Sequence, residues 1–157
     1  MKPTRVLFLC IGNSCRSPMA EGFARAYGSD VLVAASAGIS PALSVAPLTH
    51  KVMLEKNIDV GHVYPKRMDM LKGSFDLVVN MSGKPVPREL GARVEEWQVR
   101  DPIGESEEVY REVRDQIEQR VMRLVLAARA RKPPQSEERR STTAQPRVDT
   151  RRRPPRK

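Results

Sequence analysis

One stretch near the amino terminus constrains the fold of this chain more than any other. Residues 6–9 are four apolar residues, Val-Leu-Phe-Leu, and they run into Cys10, a Gly-Asn pair, Arg16 and then Ser17-Pro18. The apolar run predicts a buried strand. Ser17 is a favourable N-cap residue and Pro18 suits the first helical position, so a helix is expected to begin there. The segment between strand and helix should therefore surround the positive end of a helix.

This connecting segment, residues 11–17, is predicted to bind an anion and is called the anion-binding loop below. Unpaired N–H groups at a helix N-terminus, together with the helix dipole, favour phosphate-like ligands. Gly12 and Asn13 are the residues best able to adopt a positive φ in such a loop. The predicted phosphate-binding residues are Ile11, Gly12, Asn13, Ser14, Cys15, Arg16 and Ser17.

Cys10, directly before the loop, and Arg16, within it, are the candidate catalytic residues. The field that attracts an oxyanion to a helix N-terminus also favours a thiolate over a thiol. An arginine offers a planar fork of donors that can hold two oxygens of a tetrahedral oxyanion. The loop is therefore predicted to combine anion binding with a cysteine nucleophile.

Residues 10–22 resemble a known family signature. The sequence Cys-Ile-Gly-Asn-Ser-Cys-Arg-Ser-Pro-Met-Ala-Glu-Gly is similar to that of the low-molecular-weight protein tyrosine phosphatases and of the arsenate reductases that share their fold. The similarity covers residues 5–131. The resemblance implies a phosphorylated protein, or a small phosphate or arsenate oxyanion, as the substrate.

The positive charge of the chain is concentrated at its carboxyl end. The net charge is +9 over 157 residues, and the segment 131–157 alone has ten Lys or Arg against three Asp or Glu. Runs such as Arg-Arg-Arg-Pro-Pro, with one valine as the only large aliphatic residue, predict a disordered Pro/Arg-rich tail over 132–157. A single catalytic domain is expected over 1–131. The tail either tethers a nonspecific anionic partner, such as RNA, DNA or an acidic protein, or acts as a solubilising extension.

Cysteine content and hydropathy indicate the compartment. The chain has two cysteines, five positions apart, which cannot link distant segments, and a reactive thiol needs reducing conditions. No run is apolar enough to cross a bilayer, and the amino terminus is too short in apolar residues for a signal peptide. We expect a cytoplasmic protein without membrane association, and the sequence predicts neither a metal site nor a cofactor.

The apolar spacing predicts strands that alternate with helices. The strands are expected at residues 5–9, 31–35, 75–80 and 94–97, and the helices at 18–27, 47–56, 67–71 and 107–131. Ser36-Ala37-Gly38 is expected to end the second strand. Right-handed crossovers favour an α/β fold with one doubly wound domain, whose four-stranded parallel sheet has the order 2-1-3-4, as in the family it resembles. The anion-binding loop then lies at the topological switch point, where ligands bind.

Asp101 is the candidate general acid. Asp101-Pro102 follows the fourth predicted strand, so it lies at the carboxyl ends of the strands. From the residues alone it could equally form an ordinary Asp-Pro turn. The resemblance implies that Asp101 protonates the leaving oxygen after Cys10 attacks phosphorus, and that it then acts as the base when water hydrolyses the phosphocysteine.

The resemblance also implies supporting residues around the loop. Asn13, Ser17, Ser36 and His62 match a hydrogen-bond network that would hold Asn13 in its strained turn and steady the thiolate. His62 would otherwise be a surface residue, and His50 matches nothing in the family. Cys10 and Cys15 match a pair that can close a reversible disulfide, although a small buried cysteine is the alternative for Cys15.

Three functional interpretations follow. The first is a phosphatase of phosphotyrosine-type monoesters, although Ile103 and Gly104 stand where such phosphatases often have aromatic residues. The second is an arsenate reductase with an external small thiol, since residues 80–83, Asn-Met-Ser-Gly, stand where thioredoxin-linked reductases carry further cysteines. The third is a catalytically idle module that binds anionic partners through its tail. The absence of those cysteines favours the phosphatase as the first interpretation.

Overall fold

The molecule is built around a four-stranded parallel sheet. The structure is a computed structural model that describes residues 2–87 and 90–131, with the backbone alone at 91 and 92. In chain order the elements are β1 (Thr4–Cys10), α1 (Arg16–Gly28), β2 (Leu32–Gly38), α2 (Pro47–Leu54), a 3-10 helix (Met68–Met70), β3 (Phe75–Asn80), β4 (Gly91–Glu96) and α3 (Glu107–Arg131). The strand order β2-β1-β3-β4 confirms the predicted fold class. The predicted tail at 132–157 and its anionic partner lie outside the described residues.

The central strand β1 is buried on both faces, as expected for a parallel sheet covered on both sides. Val6 and Phe8 belong to the larger core cluster, which β1 shares with α1, α2 and α3. Leu7 and Leu9 belong to a smaller cluster on the other face, with Phe75 of β3. All four β1 residues are completely buried. This packing fixes the carboxyl end of β1, from which the anion-binding loop starts.

Several element boundaries differ from the sequence prediction. β2 continues through Ser36 to Gly38 because β1 runs beside it as far as Cys10, and the parallel ladder pairs Cys10 with Gly38. β4 begins earlier than predicted, at Gly91, because it pairs with β3 from Phe75 onward. The helix predicted at 67–71 is a single 3-10 turn. Pro47 opens α2 as predicted, but this helix ends at Leu54 rather than near residue 56.

None of the helices in the described residues combines the length and the apolar character needed to cross a bilayer.

Candidate active site

The backbone of the anion-binding loop leaves a row of N–H donors free. The carbonyl oxygens of Cys10, Ile11 and Gly12 accept hydrogen bonds from the N–H groups of Ile39, Ser40 and Ala42 at 3.1, 2.8 and 2.9 Å. Within the described residues, nothing accepts a hydrogen bond from the N–H groups of residues 12–16. These free donors at the start of α1 form an anion-binding arrangement.

Only one of the two loop residues expected at positive φ adopts it. Asn13 has a φ of 50°, whereas Gly12 is not in the left-handed region. The strained turn therefore falls on the residue whose side chain can be held by neighbours. The carbonyl oxygen of Gly12 accepts a hydrogen bond from the Ala42 N–H at 2.9 Å, which holds the backbone at this position.

Cys10 lies at the end of β1 with its sulfur beside Ser17. The Ser17 N–H donates to Cys10 Sγ at 3.5 Å, and Ser17 Oγ lies 2.9 Å from the same sulfur. The prediction that Ser17 caps α1 is wrong, because the helix begins at Arg16 and has no side-chain cap. The Ser17 hydroxyl is engaged by Cys10 and by the amide of Asn13 instead.

The side chain of Asn13 is the centre of a buried hydrogen-bond network. Its Nδ2 donates to Ser17 Oγ at 2.8 Å and to Ser36 Oγ at 3.0 Å. Its Oδ1 accepts from the backbone N–H of Lys66 at 3.1 Å and from Lys66 Nζ at 3.4 Å. Three of the four residues expected in this network are therefore brought together.

The structure does not place His62 in this network. The His62 side chain is 53% exposed, and its Nε2 lies 3.9 Å from Glu21 Oε2. Lys66 occupies the place beside Asn13 because residues 64–67 pass next to the end of β2, where the Gly38 N–H donates to the Lys66 carbonyl at 2.8 Å. Sequence reasoning missed Lys66 because this long-range contact leaves no local pattern.

Arg16 is buried and anchored at the carboxyl ends of β3 and β4. Its Nη1 donates to the carbonyl oxygens of Met81 and Val99, the latter at 3.0 Å. Its Nη2 lies 3.5 Å from Asp101 Oδ2. Among the buried side-chain nitrogen and oxygen atoms of the described residues, Arg16 Nε alone has no hydrogen-bond partner. A buried donor without a partner is costly, and an oxyanion bound at the loop would supply its acceptor.

Asp101 lies at the mouth of the same site. Its side chain is 39% exposed, and its Oδ1 accepts a hydrogen bond from the Ile103 N–H at 3.1 Å. A cavity of about 170 Å³ is lined by Cys10, Ile11, Gly12, Ser14, Cys15, Arg16, Ala42, Asp101 and Ile103. The structure therefore brings Cys10, Arg16 and Asp101 to one cavity, which has room for a small tetrahedral oxyanion.

Comparison with known proteins identifies the family. Residues 5–135 match the family model of the low molecular weight phosphotyrosine protein phosphatases. The chain belongs to this family. A glutaredoxin arsenate reductase of Synechocystis sp. is 36% identical over 126 residues, which cover 77% of this chain and 95% of that protein. An arsenate reductase of Halalkalibacterium halodurans is 39% identical over 128 residues, covering 74% and 91%.

Solved structures of two kinds of enzyme share the fold of this low molecular weight phosphatase family member. An arsenate reductase in the phosphate binding state aligns with a TM-score of 0.74 at 34% identity, covering 80% of this chain and 98% of that one. An arginine phosphatase from Geobacillus stearothermophilus aligns with a TM-score of 0.68 at 25% identity, covering 82% and 94%. The family fold is therefore shared with reductases and with a phosphatase.

Cys15, the second cysteine of this family member, faces away from bulk solvent and contacts α3. Both cysteines are free and buried. Cys15 Sγ lies 3.5 Å from the hydroxyl of Tyr110. Burial raises the pKa of the Cys15 thiol, and the hydrogen bond with Tyr110 only partly offsets this effect. Cys15 therefore stays a thiol at neutral pH, and a disulfide with Cys10 stays a prediction.

Replacement of Gly38 with alanine is expected to weaken anion binding. A Cβ at this position would lie 2.8 Å from the Ile11 carbonyl oxygen and 2.9 Å from the Asn13 nitrogen, both backbone atoms. The loop must move, so we expect about 1–3 kcal/mol of destabilisation together with a loss of oxyanion affinity. Chemical denaturation and calorimetric titration with arsenate measure the two effects.

Gly22→Ala is the matched control for this substitution. A Cβ there would lie 2.9 Å from Val60 Cγ1 and 3.0 Å from Met53 Cε, in the core and away from the loop. This variant should lose similar stability but keep its arsenate affinity. Equal losses of arsenate affinity in the two variants would show that Gly38 has no particular role at the site.

Proposed function

We propose that this protein is an arsenate reductase that takes its electrons from an external thiol. Of the three interpretations of the sequence, the relatives favour this one over the phosphatase, since several proteins named arsenate reductase are at least 34% identical over most of the chain. The observation that carries the proposal is a cavity lined by Cys10, Arg16 and the loop residues whose N–H groups are free, together with the unpartnered Arg16 Nε. These features support binding of a tetrahedral oxyanion against a sulfur nucleophile.

The first proposed step joins Cys10 to arsenic. The Cys10 thiolate attacks arsenate, a sulfur–arsenic bond forms, and one arsenic–oxygen bond breaks. Asp101 donates a proton to the departing oxygen, which leaves as water. The N–H groups of the anion-binding loop and the guanidinium of Arg16 stabilise the charge on the remaining oxygens.

The second proposed step reduces arsenic. An external thiolate attacks Cys10 Sγ, the sulfur–arsenic bond breaks, and its electron pair stays on arsenic, which leaves as arsenite. Cys10 and the external thiol are then joined in a mixed disulfide. A second external thiol attacks this disulfide and restores Cys10. Two thiols are thus oxidised to one disulfide for each arsenate reduced.

The need for an external thiol follows from the cysteine content. The chain has only two cysteines, and Cys15 is a buried thiol held against Tyr110. At the end of β3, Ser82 lies in a closed turn in which Asn80 Oδ1 accepts hydrogen bonds from its N–H at 3.0 Å and from its hydroxyl at 2.6 Å. This turn provides no resolving sulfur. The proposal places the protein in the cytoplasm, where small thiols stay reduced.

A direct assay tests the proposed function. Arsenite formation should require arsenate and glutathione, with a further increase when glutaredoxin is present, and it should not be supported by thioredoxin alone. Failure to form arsenite with any of these reductants, at enzyme concentrations where arsenate binding is measurable, would contradict the proposal.

A phosphatase is the second candidate, because the same cavity contains Asp101 and because an arginine phosphatase shares the fold. Its proposed cycle passes through a phosphocysteine at Cys10, which water hydrolyses. Hydrolysis of p-nitrophenyl phosphate and of phosphoarginine, measured beside arsenate reduction on one preparation, ranks the two candidates. If neither activity is found, the third interpretation, a module that acts through its tail, is the one left.

Replacement of Asp101 with asparagine is expected to slow arsenate reduction by about 10²-fold, because an amide has no proton to give to the departing oxygen. The amide has nearly the same size and can remain beside Arg16 Nη2, which lies 3.5 Å from Asp101 Oδ2, so arsenate affinity should change little. Asp69→Asn, a change at an exposed carboxylate on the 3-10 helix, serves as the control. An unchanged single-turnover rate of Asp101→Asn would exclude Asp101 as the acid.

A further inference from the structure

Lys66 is a buried lysine that the proposed chemistry does not use. It lies in the segment between α2 and β3, and its side chain packs behind the anion-binding loop. Its Nζ donates to the Tyr64 carbonyl at 2.9 Å and to Asn13 Oδ1 at 3.4 Å, and it lies 4.7 Å from the centre of the Tyr64 ring. A lysine is seldom buried unless its ammonium has such partners.

The contacts of Lys66 lead to the reactive sulfur through two side chains. Asn13 Oδ1 accepts from Lys66, while Asn13 Nδ2 donates to Ser17 Oγ at 2.8 Å. Ser17 Oγ in turn lies 2.9 Å from Cys10 Sγ. The chain of contacts therefore runs from the Lys66 ammonium to the nucleophile.

Asn13 needs this support because it carries the strain of the loop. Its φ of 50° is unfavourable for a side chain other than glycine, and such conformations persist only where neighbours hold them. Lys66 donates to Asn13 Oδ1 twice, from its backbone N–H at 3.1 Å and from its ammonium at 3.4 Å, so this end of the amide is the acceptor and the Nδ2 end faces Ser17 and Ser36.

We propose that Lys66 is a positioning residue of the oxyanion site, which holds the Asn13 amide and, through Ser17, sets the place of the Cys10 sulfur. His62 was expected in this network, and its exposed imidazole reaches only toward Glu21. The inference rests on the proposed function for its effect on turnover. Oxyanion binding and alkylation of Cys10 test it without turnover.

The charged groups around Lys66 determine its pH behaviour. Burial lowers the pKa of the Lys66 ammonium; the carboxylate of Glu21 partly offsets this, and the charge of Arg25 adds to it. His62 and Tyr64 are the other titratable groups on this side. The ammonium is present below its pKa and is lost above it, so its share of the support of Asn13 should be lost at a lower pH than for an exposed lysine, while the backbone N–H of Lys66 continues to donate.

A double-variant cycle in the full-length protein tests the inference. Lys66→Met should weaken arsenate binding about tenfold and slow alkylation of Cys10 by iodoacetamide by a similar factor. Lys66→Arg should retain most of the affinity and move its alkaline decline to higher pH, because a guanidinium stays charged. Lys72→Met, at an exposed position, is the control and should match the wild type.

Asn13→Gly removes the amide while tolerating the positive φ, so it is the second member of the cycle. In this background Lys66→Met should cause no further loss of arsenate affinity. An undiminished effect of Lys66→Met in the Asn13→Gly background would overturn the proposal. A lowered melting temperature with unchanged affinity and alkylation rate would also overturn it. If arsenate binding and alkylation in these variants are as expected but the wild type forms no arsenite, the proposed function is wrong while the role of Lys66 is retained.

Discussion

Replacement of Cys10 with serine is expected to abolish arsenate reduction, with a loss of about 10⁴-fold or more. A serine hydroxyl is a weak nucleophile here, because within the described residues the position-10 side chain has hydrogen-bond contacts with the hydroxyl and N–H of Ser17 and with no imidazole or other general base. Serine also cannot form the disulfide with the external thiol, so the electron-transfer step is lost as well. Arsenite production with glutathione measures the result.

Arsenate should still bind to Cys10→Ser, because the donors of the loop are unchanged. Cys15→Ser is the matched control, since it alters the second cysteine of the chain, which lies in the anion-binding loop and whose sulfur contacts Tyr110. This control should retain most of the activity. Equal losses in the two variants would show that both sulfurs take part, and would contradict an external thiol as the sole resolving group.

Replacement of Arg16 with lysine is the second large effect, with an expected loss of about 10²–10³-fold in kcat/KM. A lysine ammonium can replace the positive charge but not the geometry of the guanidinium. Arg16 bonds the carbonyl oxygens of Met81 and Val99 through Nη1 and keeps Nε without a protein partner, and a single ammonium cannot both make those bonds and donate to an oxyanion as a fork. Steady-state kinetics with arsenate, together with calorimetric binding, separates the effect on turnover from that on affinity.

Arg100→Lys is the control for this substitution. Arg100 is largely exposed and pairs with Glu105 at 3.2 Å, beside the groove next to the cavity. Its replacement keeps the surface charge and should leave kcat/KM and arsenate affinity close to those of the wild type. If Arg16→Lys kept wild-type kinetics, the guanidinium of Arg16 would not be needed to stabilise the transition state.

The fold and the anion-binding loop could be predicted because their signals are local. The apolar run of residues 6–9 identifies β1, and the spacing from Val109 to Ala128 identifies α3, since burial of one face repeats within the element. Residues 10–18 join the end of the strand, the loop and the start of the helix in one short segment. The end of β2 was less predictable, because Ser36 and Gly38 stay in the strand only through pairing with β1.

The supporting residues could not be predicted as well, because they depend on contacts between distant segments. Ser17 has the chemistry of an N-cap, yet its hydroxyl bonds the sulfur of Cys10 and the amide of Asn13. Lys66 reaches Asn13 across more than fifty positions of sequence. The resemblance pointed to His62 at this place, and only the path of residues 64–67 along the end of β2 explains the difference.

A single-turnover experiment tests most directly whether Cys10 first bonds arsenic and then forms a disulfide with an external thiol. The full-length Cys15→Ser variant is mixed with arsenate and one equivalent of glutathione and quenched by acid, and the modified cysteine is located by peptide mass spectrometry. We expect a glutathione disulfide on Cys10 that forms in step with arsenite and depends on arsenate. Arsenite release without this disulfide, or the same disulfide without arsenate, would contradict it.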